Sequence, residues 1–146
     1  MRKRIACSAI ALVLPLAAAT GQDAVQTHAA PSRSTLSGVY TTAQAARGEE
    51  TYMNVCVGCH PTGTYATPVF RTTWRGRRAS DLFEVVKEKM PKNDPGSLTV
   101  GEAAQVLAYL LKINDAPPGE AELPADIDTL KEIVIAMPAP EGKVER

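Results

Sequence analysis

Two cysteines and a histidine stand together in the run Cys56-Val57-Gly58-Cys59-His60. Two thiols three residues apart, at the end of a helix, can reach the two vinyl groups of one haem and form thioether bonds. The next residue, His60, then lies under the ring and can bind the iron as its proximal ligand. This spacing is the attachment signature of c-type haem, and it predicts one haem held covalently through Cys56 and Cys59.

The same three residues admit two other kinds of chemistry. A redox-active Cys-x-x-Cys pair is expected after a strand and within a sheet, and no strand pattern precedes this run. A zinc site needs four ligands, and the one remaining candidate is His28, which lies in a segment without apolar periodicity. Haem attachment is therefore the favoured interpretation, and we expect His28 to be an exposed linker residue.

A low-spin electron carrier needs a second axial ligand, and a methionine thioether serves while raising the reduction potential. Met137 lies in the tail, and Met53 lies in the helix that delivers His60, so Met53 cannot easily reach the far face. Met90 ends a predicted helix and stands on a turn-rich loop that can fold over the distal face. We expect Met90 to be the sixth iron ligand. The alternative is that Met90 fills the core and the iron is five-coordinate.

The N-terminal residues have the pattern of an export signal. Three cations at positions 2–4 precede an almost wholly apolar run over 5–19, which is short for a bilayer span. An Ala-x-Ala pattern predicts cleavage after Ala19, with cleavage before Gln22 as the alternative. We expect a cleaved signal peptide over 1–19 and an exported, periplasmic protein. An uncleaved N-terminal anchor is the alternative.

Removal of the signal changes the charge and the cysteine count. The chain has 16 basic and 16 acidic residues, and loss of the three N-terminal cations leaves 13 basic residues against 16 acidic ones. This mildly acidic balance argues against nucleic acid as a partner, because phosphate binding needs a clustered surplus of Lys and Arg. Cys7 leaves with the signal, so that Cys56 and Cys59 remain.

The remaining chain divides into three predicted parts. Residues 20–40 are rich in Gln, Thr, Ala, Ser and Pro, which predicts a flexible linker. Apolar periodicity marks a helical domain over 41–115. Residues 116–146 form a C-terminal extension, in which we expect a short helix over 127–135.

The first predicted helix begins near Thr41, which can form a capping box with Gln44; Thr42 is the alternative cap. Apolar residues then recur at helical spacing, and the helix runs into Cys56. Residues 61–79 show no helical or strand period, which predicts an irregular loop.

Two further helices are predicted after that loop. Ser80 is expected to cap the second helix, which Pro91 stops just after Met90. Thr99 and Glu102 form a capping box for the third helix, whose broad apolar stripe is typical of a core helix. No strand pair is visible, so the sequence predicts an all-α fold.

These residues resemble those of the class I c-type cytochromes over about 41–114. Gly48, Tyr52 and the Cys-x-x-Cys-His run are similar to the N-terminal helix of that family, and the stretch 107–110 (Leu-Ala-Tyr-Leu) is similar to its C-terminal helix. The resemblance implies the small class I cytochrome c fold, with three main helices around one covalently attached haem. It also implies that the two terminal helices cross near Gly48 and Tyr109.

The resemblance implies roles for residues around the haem as well. It marks Met90 as the axial ligand on the face opposite His60. It also implies that Pro68, Phe70 and Trp74 line the haem crevice, with a plain core position as the alternative for Trp74.

Four arginines stand close to Trp74 in the sequence and have two interpretations. Arg77 and Arg78 would contact a haem propionate. Alternatively, they form a solvated basic patch with Arg71 and Arg75, and such a patch could steer an acidic redox partner.

The run 90–99 (Met-Pro-Lys-Asn-Asp-Pro-Gly-Ser-Leu-Thr) resembles a subgroup of small bacterial cytochromes that accompany, or are fused to, quinoprotein dehydrogenases. The resemblance implies a periplasmic one-electron carrier that is not an enzyme, with a quinoprotein dehydrogenase or a terminal oxidase as redox partner and no stable membrane insertion after processing. One alternative is a subunit dedicated to a quinoprotein dehydrogenase, with the acidic tail as a docking arm. Another is an open-site haem enzyme or gas sensor.

Overall fold

A computed structural model describes residues 33–138 of the protein. Five α-helices occupy this part of the chain: α1 (Thr42–Thr51), α2 (Pro68–Trp74), α3 (Ala79–Lys89), α4 (Val100–Lys112) and α5 (Ile127–Lys131). A 3-10 turn spans Thr35–Ser37, and a π-helical turn, Tyr52–Cys56, continues α1. The strands of the described residues are β1 (Arg33–Ser34) and β2 (Ile133–Val134), which pair in parallel. The predicted all-α class is confirmed.

Local hydrogen bonds determine where α1 and α4 begin. The first amides of a helix have no partner within it, and here threonine side chains accept from them. Thr41 Oγ1 accepts from the N–H of Gln44 at 3.1 Å, and Thr99 Oγ1 accepts from the N–H of Glu102 at 3.2 Å. The Glu102 carboxylate in turn accepts from the Thr99 N–H at 2.8 Å. Both predicted starts are confirmed, although the Gln44 side chain turns elsewhere, to the backbone of Leu123.

Helix α3 begins earlier than predicted. Its N-cap residue is Arg78, and Ser80 lies buried within the first turn. Asp81 supplies the terminal contact, since its Oδ2 accepts from the backbone N–H of Arg78 at 3.3 Å. The prediction of Ser80 as the cap is therefore wrong. The helix ends at Lys89, and Met90 is its C-cap residue, as the position before Pro91 favours.

Helix α2 lies in the segment predicted to be an irregular loop. Thr67 Oγ1 accepts from the N–H of Phe70 at 3.2 Å, and Pro68 occupies the start of the helix. Proline is suited to this position because its missing N–H would have had no partner there. With seven residues, α2 is too short to show an apolar period. The prediction of a loop over 61–79 is wrong for this helix.

Helices α1 and α4 cross at Gly48. A β-carbon at Gly48 would overlap the backbone carbonyl of Gln105 on α4, so only glycine allows this approach. One turn further along, Tyr52 packs against Tyr109, with ring centroids 5.1 Å apart. The crossing implied by the family resemblance is thus present in the structure.

The C-terminal extension packs against the helical domain as far as it is described. Helix α5 ends at Lys131, and the chain continues into β2, so the helix predicted over 127–135 is shorter than expected. Buried apolar side chains anchor this segment to the core: Leu123, Leu130, Ile133, Ile135 and Met137.

Of the predicted linker, residues 20–40, the structure describes the part from Arg33 onward. There, β1 pairs with β2, and Val39 and Tyr40 are buried. The predicted signal peptide over 1–19 and His28 lie outside the described residues, and the division of the chain at positions 41 and 116 stays a prediction. Within residues 33–138, no helix is long and apolar enough to cross a membrane.

Candidate functional site

A cavity lies between the helices α2, α3 and α4, the π-helical turn and the loop after α3. A concave, mostly apolar pocket with a few convergent polar groups is the usual form of a ligand or cofactor site. Most of the lining side chains are aliphatic or aromatic: Tyr52, Val55, Tyr65, Phe70, Trp74, Leu82, Val85, Val86, Leu98, Val106 and Leu110.

Cys56, Cys59 and His60 all line this cavity. The π-helical turn ends at Cys56, and the chain then makes a tight turn in which the Cys56 carbonyl accepts from the N–H groups of Cys59 and His60, at 3.1 and 2.9 Å. Both thiols are free of disulfides. Burial raises the pKa of the Cys56 thiol, so it is protonated at neutral pH. The structure therefore directs two available thiols and an imidazole to one cavity.

The His60 ring is held through its Nδ1. Tyr65 Oη lies 2.9 Å from this nitrogen, and the His60 backbone carbonyl accepts from the Tyr52 hydroxyl at 2.7 Å. Burial raises the pKa of Tyr52 to about 12 and also raises the pKa of Tyr65. Both phenols thus keep their protons at neutral pH. With Nδ1 engaged, Nε2 is the ring nitrogen that remains for a metal.

Met90 lines the same cavity as His60. The two other methionines of the described residues do not: Met53 is 48% exposed on the surface, and Met137 is buried in the tail. Within residues 33–138, Met90 is therefore the one thioether at this cavity, and it lies on the loop where the sequence predicted it.

Two of the three predicted crevice residues line the cavity. Phe70 and Trp74 both extend from α2, with ring centroids 6.2 Å apart, whereas Pro68 is exposed in the first turn of that helix and does not line the cavity. Tyr65, which packs on Phe70 at 5.4 Å, had no predicted contact with the site. Tyr65 lies in a loop, where apolar periodicity cannot predict which side chains face the site. The one feature in the sequence that could have indicated a role for Tyr65 is its hydroxyl group, which can form a hydrogen bond with a nearby histidine.

The arginines near Trp74 lie outside the cavity. The Arg77 guanidinium stacks over Trp74, 4.4 Å from the ring centroid, and donates to Asp81 at 3.3 Å. Arg71 donates to Asp115 at 2.7 Å. These contacts favour the interpretation as an exposed basic patch over a contact with a haem propionate. None of the four arginines lines the cavity: positions 71, 75, 77 and 78.

The donor set at the cavity fits a c-type haem. Thioether attachment uses two thiols, and the iron of such haems takes histidine and methionine as axial ligands. The apolar lining suits the face of a macrocycle. A zinc site finds no such support, since within residues 33–138 no three His, Cys, Asp or Glu side chains come together as metal ligands.

The helix arrangement and this site define the small class I cytochrome c fold, as predicted. Helices α1 and α4 cross at Gly48, the Cys-x-x-Cys-His run follows α1, and the cavity lies beside α4 and the π-helical turn that continues α1. Residues 43–110 match the family model described as cytochrome c oxidase, cbb3-type, subunit III. The comparisons with curated proteins and with solved structures found no match.

The matched segment covers 68 of the 146 residues and runs from α1 through Met90 into α4. The match supports a c-type cytochrome. It implies covalently bound c-type haem and redox partners, and it suggests an electron-transfer protein and not an enzyme.

Proposed function

We propose that the protein is an exported one-electron carrier with one c-type haem, attached through Cys56 and Cys59 and ligated by His60 and Met90. The supporting observation is that two free thiols, an imidazole and a thioether all meet one apolar cavity. A c-type haem bound there would supply reversible one-electron iron chemistry.

The residues of the chain give this site the properties of a carrier. His60 and Met90 would hold the iron in both redox states, so that no coordination position is left for a substrate. The thioether ligand raises the reduction potential, and the apolar lining excludes water and disfavours the more highly charged ferric state. Little rearrangement then accompanies gain or loss of an electron.

One side of the site reaches the protein surface. Cys59 is exposed, and Val55, which lines the cavity, is 42% exposed. A cofactor attached at Cys59 would thus present an edge to solvent, where a redox partner can approach it. This exposure supports exchange of electrons with another protein.

An optical spectrum and a mass of the mature holoprotein test the proposed function. We expect a pyridine haemochrome typical of two thioether links, a mass increased by one haem, and a low-spin spectrum with the far-red band of Met-ligated ferric haem. The same mass reports whether cleavage occurs after Ala19 or before Gln22. A mature protein with an unmodified mass would overturn the proposal, and recovery of the holoprotein from the cytoplasm after fractionation would contradict export.

A cytochrome subunit of a larger redox complex is a second candidate. The matched family model describes an oxidase subunit, and the run 90–99 resembles cytochromes that accompany quinoprotein dehydrogenases. The docking arm expected in the tail is constrained, since residues 116–138 pack against the core. A stoichiometric complex with an oxidase or a dehydrogenase after gentle extraction would favour this candidate; elution at the mass of one chain would favour the free carrier.

A further inference from the structure

Tyr65 lies in the loop between His60 and α2, and its side chain reaches back to the histidine ring. Its Oη lies 2.9 Å from His60 Nδ1, within hydrogen-bond distance. The two ring centroids are 5.1 Å apart, with the planes tilted by 46°, so the contact runs from the hydroxyl to the edge of the imidazole. Both residues line the cavity.

Iron binding would fix the direction of this hydrogen bond. A neutral imidazole carries one N–H and one nitrogen lone pair. If the Nε2 lone pair of His60 binds iron, the ring proton must be on Nδ1. The His60 Nδ1–H then donates, and the Tyr65 hydroxyl oxygen accepts.

Contacts outside the loop hold Tyr65 in place. Its backbone carbonyl accepts from Asn114 Nδ2 at 2.8 Å, and the same nitrogen donates to the Leu110 carbonyl at 2.8 Å. Asn114 is fully buried at the end of α4. The Tyr65 ring also packs on Phe70 and against the edge of Tyr52, at centroid distances of 5.4 and 6.5 Å. The position of the hydroxyl therefore depends on α4 and on neighbouring aromatic rings.

We propose, on the basis of the proposed function, that Tyr65 is a positioning residue that orients the axial His60 and lowers the reduction potential. A hydrogen bond donated by Nδ1 increases the basicity of the metal-binding nitrogen. A more electron-rich ligand stabilises ferric iron more than ferrous iron. Tyr65 thus opposes the upward shift that the Met90 thioether and the apolar lining produce.

The test is the substitution Tyr65→Phe in the mature holoprotein, because it removes the hydroxyl and keeps the ring. We expect the low-spin spectrum to persist while the ratio of ferrous to ferric protein at a fixed applied potential rises at least threefold. That ratio corresponds to a midpoint potential about 28 mV higher, at 59 mV per tenfold change. We also expect the His60 Nδ1 proton, followed by NMR, to exchange with solvent at least tenfold faster.

Tyr40→Phe is the matched control. It removes a buried tyrosine hydroxyl that donates to the Ala116 carbonyl at 2.6 Å, at a residue that does not line the cavity. We expect a change in the ferrous-to-ferric ratio of less than 1.5-fold. A role of Tyr65 in general packing predicts equal shifts in both variants, and equal shifts would overturn the proposal.

If Tyr65→Phe changes neither the midpoint potential nor the exchange rate of the Nδ1 proton, the proposed role of Tyr65 is also overturned. The proposed function of the protein would still be supported by the haem spectrum of the wild type. Absence of covalent haem from the wild type would overturn both. If Tyr65→Phe does not mature, the wild-type protein decides: slow exchange of the Nδ1 proton supports the hydrogen bond, and exchange as fast as that of an exposed imidazole refutes it.

Discussion

At the scale of single residues, the proposed ligand set depends on which methionine reaches the cavity. Met53 and Met90 carry the same thioether group, but they differ in exposure and in their position relative to the cavity. Met53 is 48% exposed and does not line the cavity, whereas Met90 lines it together with His60. Position in the fold, and not residue type, therefore makes Met90 the candidate ligand.

The substitution Met90→Ala is predicted to remove the sixth ligand without detaching the haem. We expect loss of the far-red charge-transfer band, a shift of the ferric protein to high spin, and a fall in midpoint potential of at least about 60 mV, equivalent to a tenfold loss of preference for ferrous iron. Optical spectra and a redox titration of the holoprotein measure all three.

Met53→Ala is the control for this prediction and should leave the band, the spin state and the potential unchanged. A wild-type protein that is already high-spin and lacks the far-red band would contradict Met90 ligation. It would support the open-site haem enzyme or gas sensor instead.

At the scale of elements, the crossing of α1 and α4 positions the haem-attachment run. Helix α1 continues through the π-helical turn to Cys56, so the distance between α1 and α4 determines where the thiols and His60 meet the cavity. The close approach at Gly48 sets that distance, because the Gln105 carbonyl occupies the space where a side chain would begin.

The substitution Gly48→Ala is predicted to destabilise the holoprotein. The new methyl group overlaps the backbone of α4, which cannot move aside as a flexible side chain could, so we expect a loss of about 1–3 kcal/mol in the free energy of unfolding. Guanidinium unfolding followed by far-UV circular dichroism measures this loss.

Gly101→Ala is the matched control, since it makes the same change within α4. The nearest atom to a β-carbon there, Thr99 Oγ1, is 4.0 Å away. We expect a gain of up to about 1 kcal/mol because alanine is the better helix former. Equal effects of the two substitutions would show that helix propensity, and not the crossing, controls stability at Gly48.

At the scale of the whole molecule, the segments before and after the cytochrome helices are tied to each other and to the core. The β1–β2 pair joins residues 33–34 to 133–134. Thr35 Oγ1 both donates to and accepts from the Ala136 backbone. The Tyr40 hydroxyl donates to the Ala116 carbonyl at 2.6 Å. The C-terminal extension is thus an integral part of the folded unit as far as it is described.

The substitution Gln44→Ala is predicted to weaken this attachment. The buried Gln44 amide donates to the Leu123 carbonyl at 2.8 Å and accepts from the Leu123 N–H at 2.7 Å. Without it, two buried backbone groups lose their partners, at a cost of about 1–3 kcal/mol. Denaturant unfolding should show this loss, while the haem spectrum stays unchanged because Gln44 does not line the cavity.

Gln105→Ala serves as the control, because the Gln105 side chain makes no hydrogen bond within the described residues and should change stability by less than about 0.5 kcal/mol. An unfolding midpoint of Gln44→Ala equal to that of the wild type would contradict a stabilising role for the contact with Leu123.

The amino-acid sequence by itself predicted the chemistry of the site, and it determined the local starts of α1 and α4. The Cys-x-x-Cys-His run and the threonine caps are local motifs, because the residues that form each of them lie within three or four positions of one another. Such motifs can be recognised without knowing the rest of the fold. Helix α2 was not predicted, because its seven residues are too few to show an apolar periodicity. Thr67 and Pro68 are nevertheless typical residues for the start of a helix.

Tertiary structure alone decided which side chains meet in the packed fold. It brought Tyr65 to His60, turned the Gln44 amide from a helix cap to Leu123, and placed Met90 at the cavity while leaving Met53 at the surface. Residues 44 and 123 are 79 positions apart. No local sequence pattern indicates that the Leu123 backbone will be buried and will need the Gln44 side chain as its hydrogen-bond partner. These contacts depend on how the helices and the tail pack together in the core, because buried polar groups must find hydrogen-bond partners in the assembled fold.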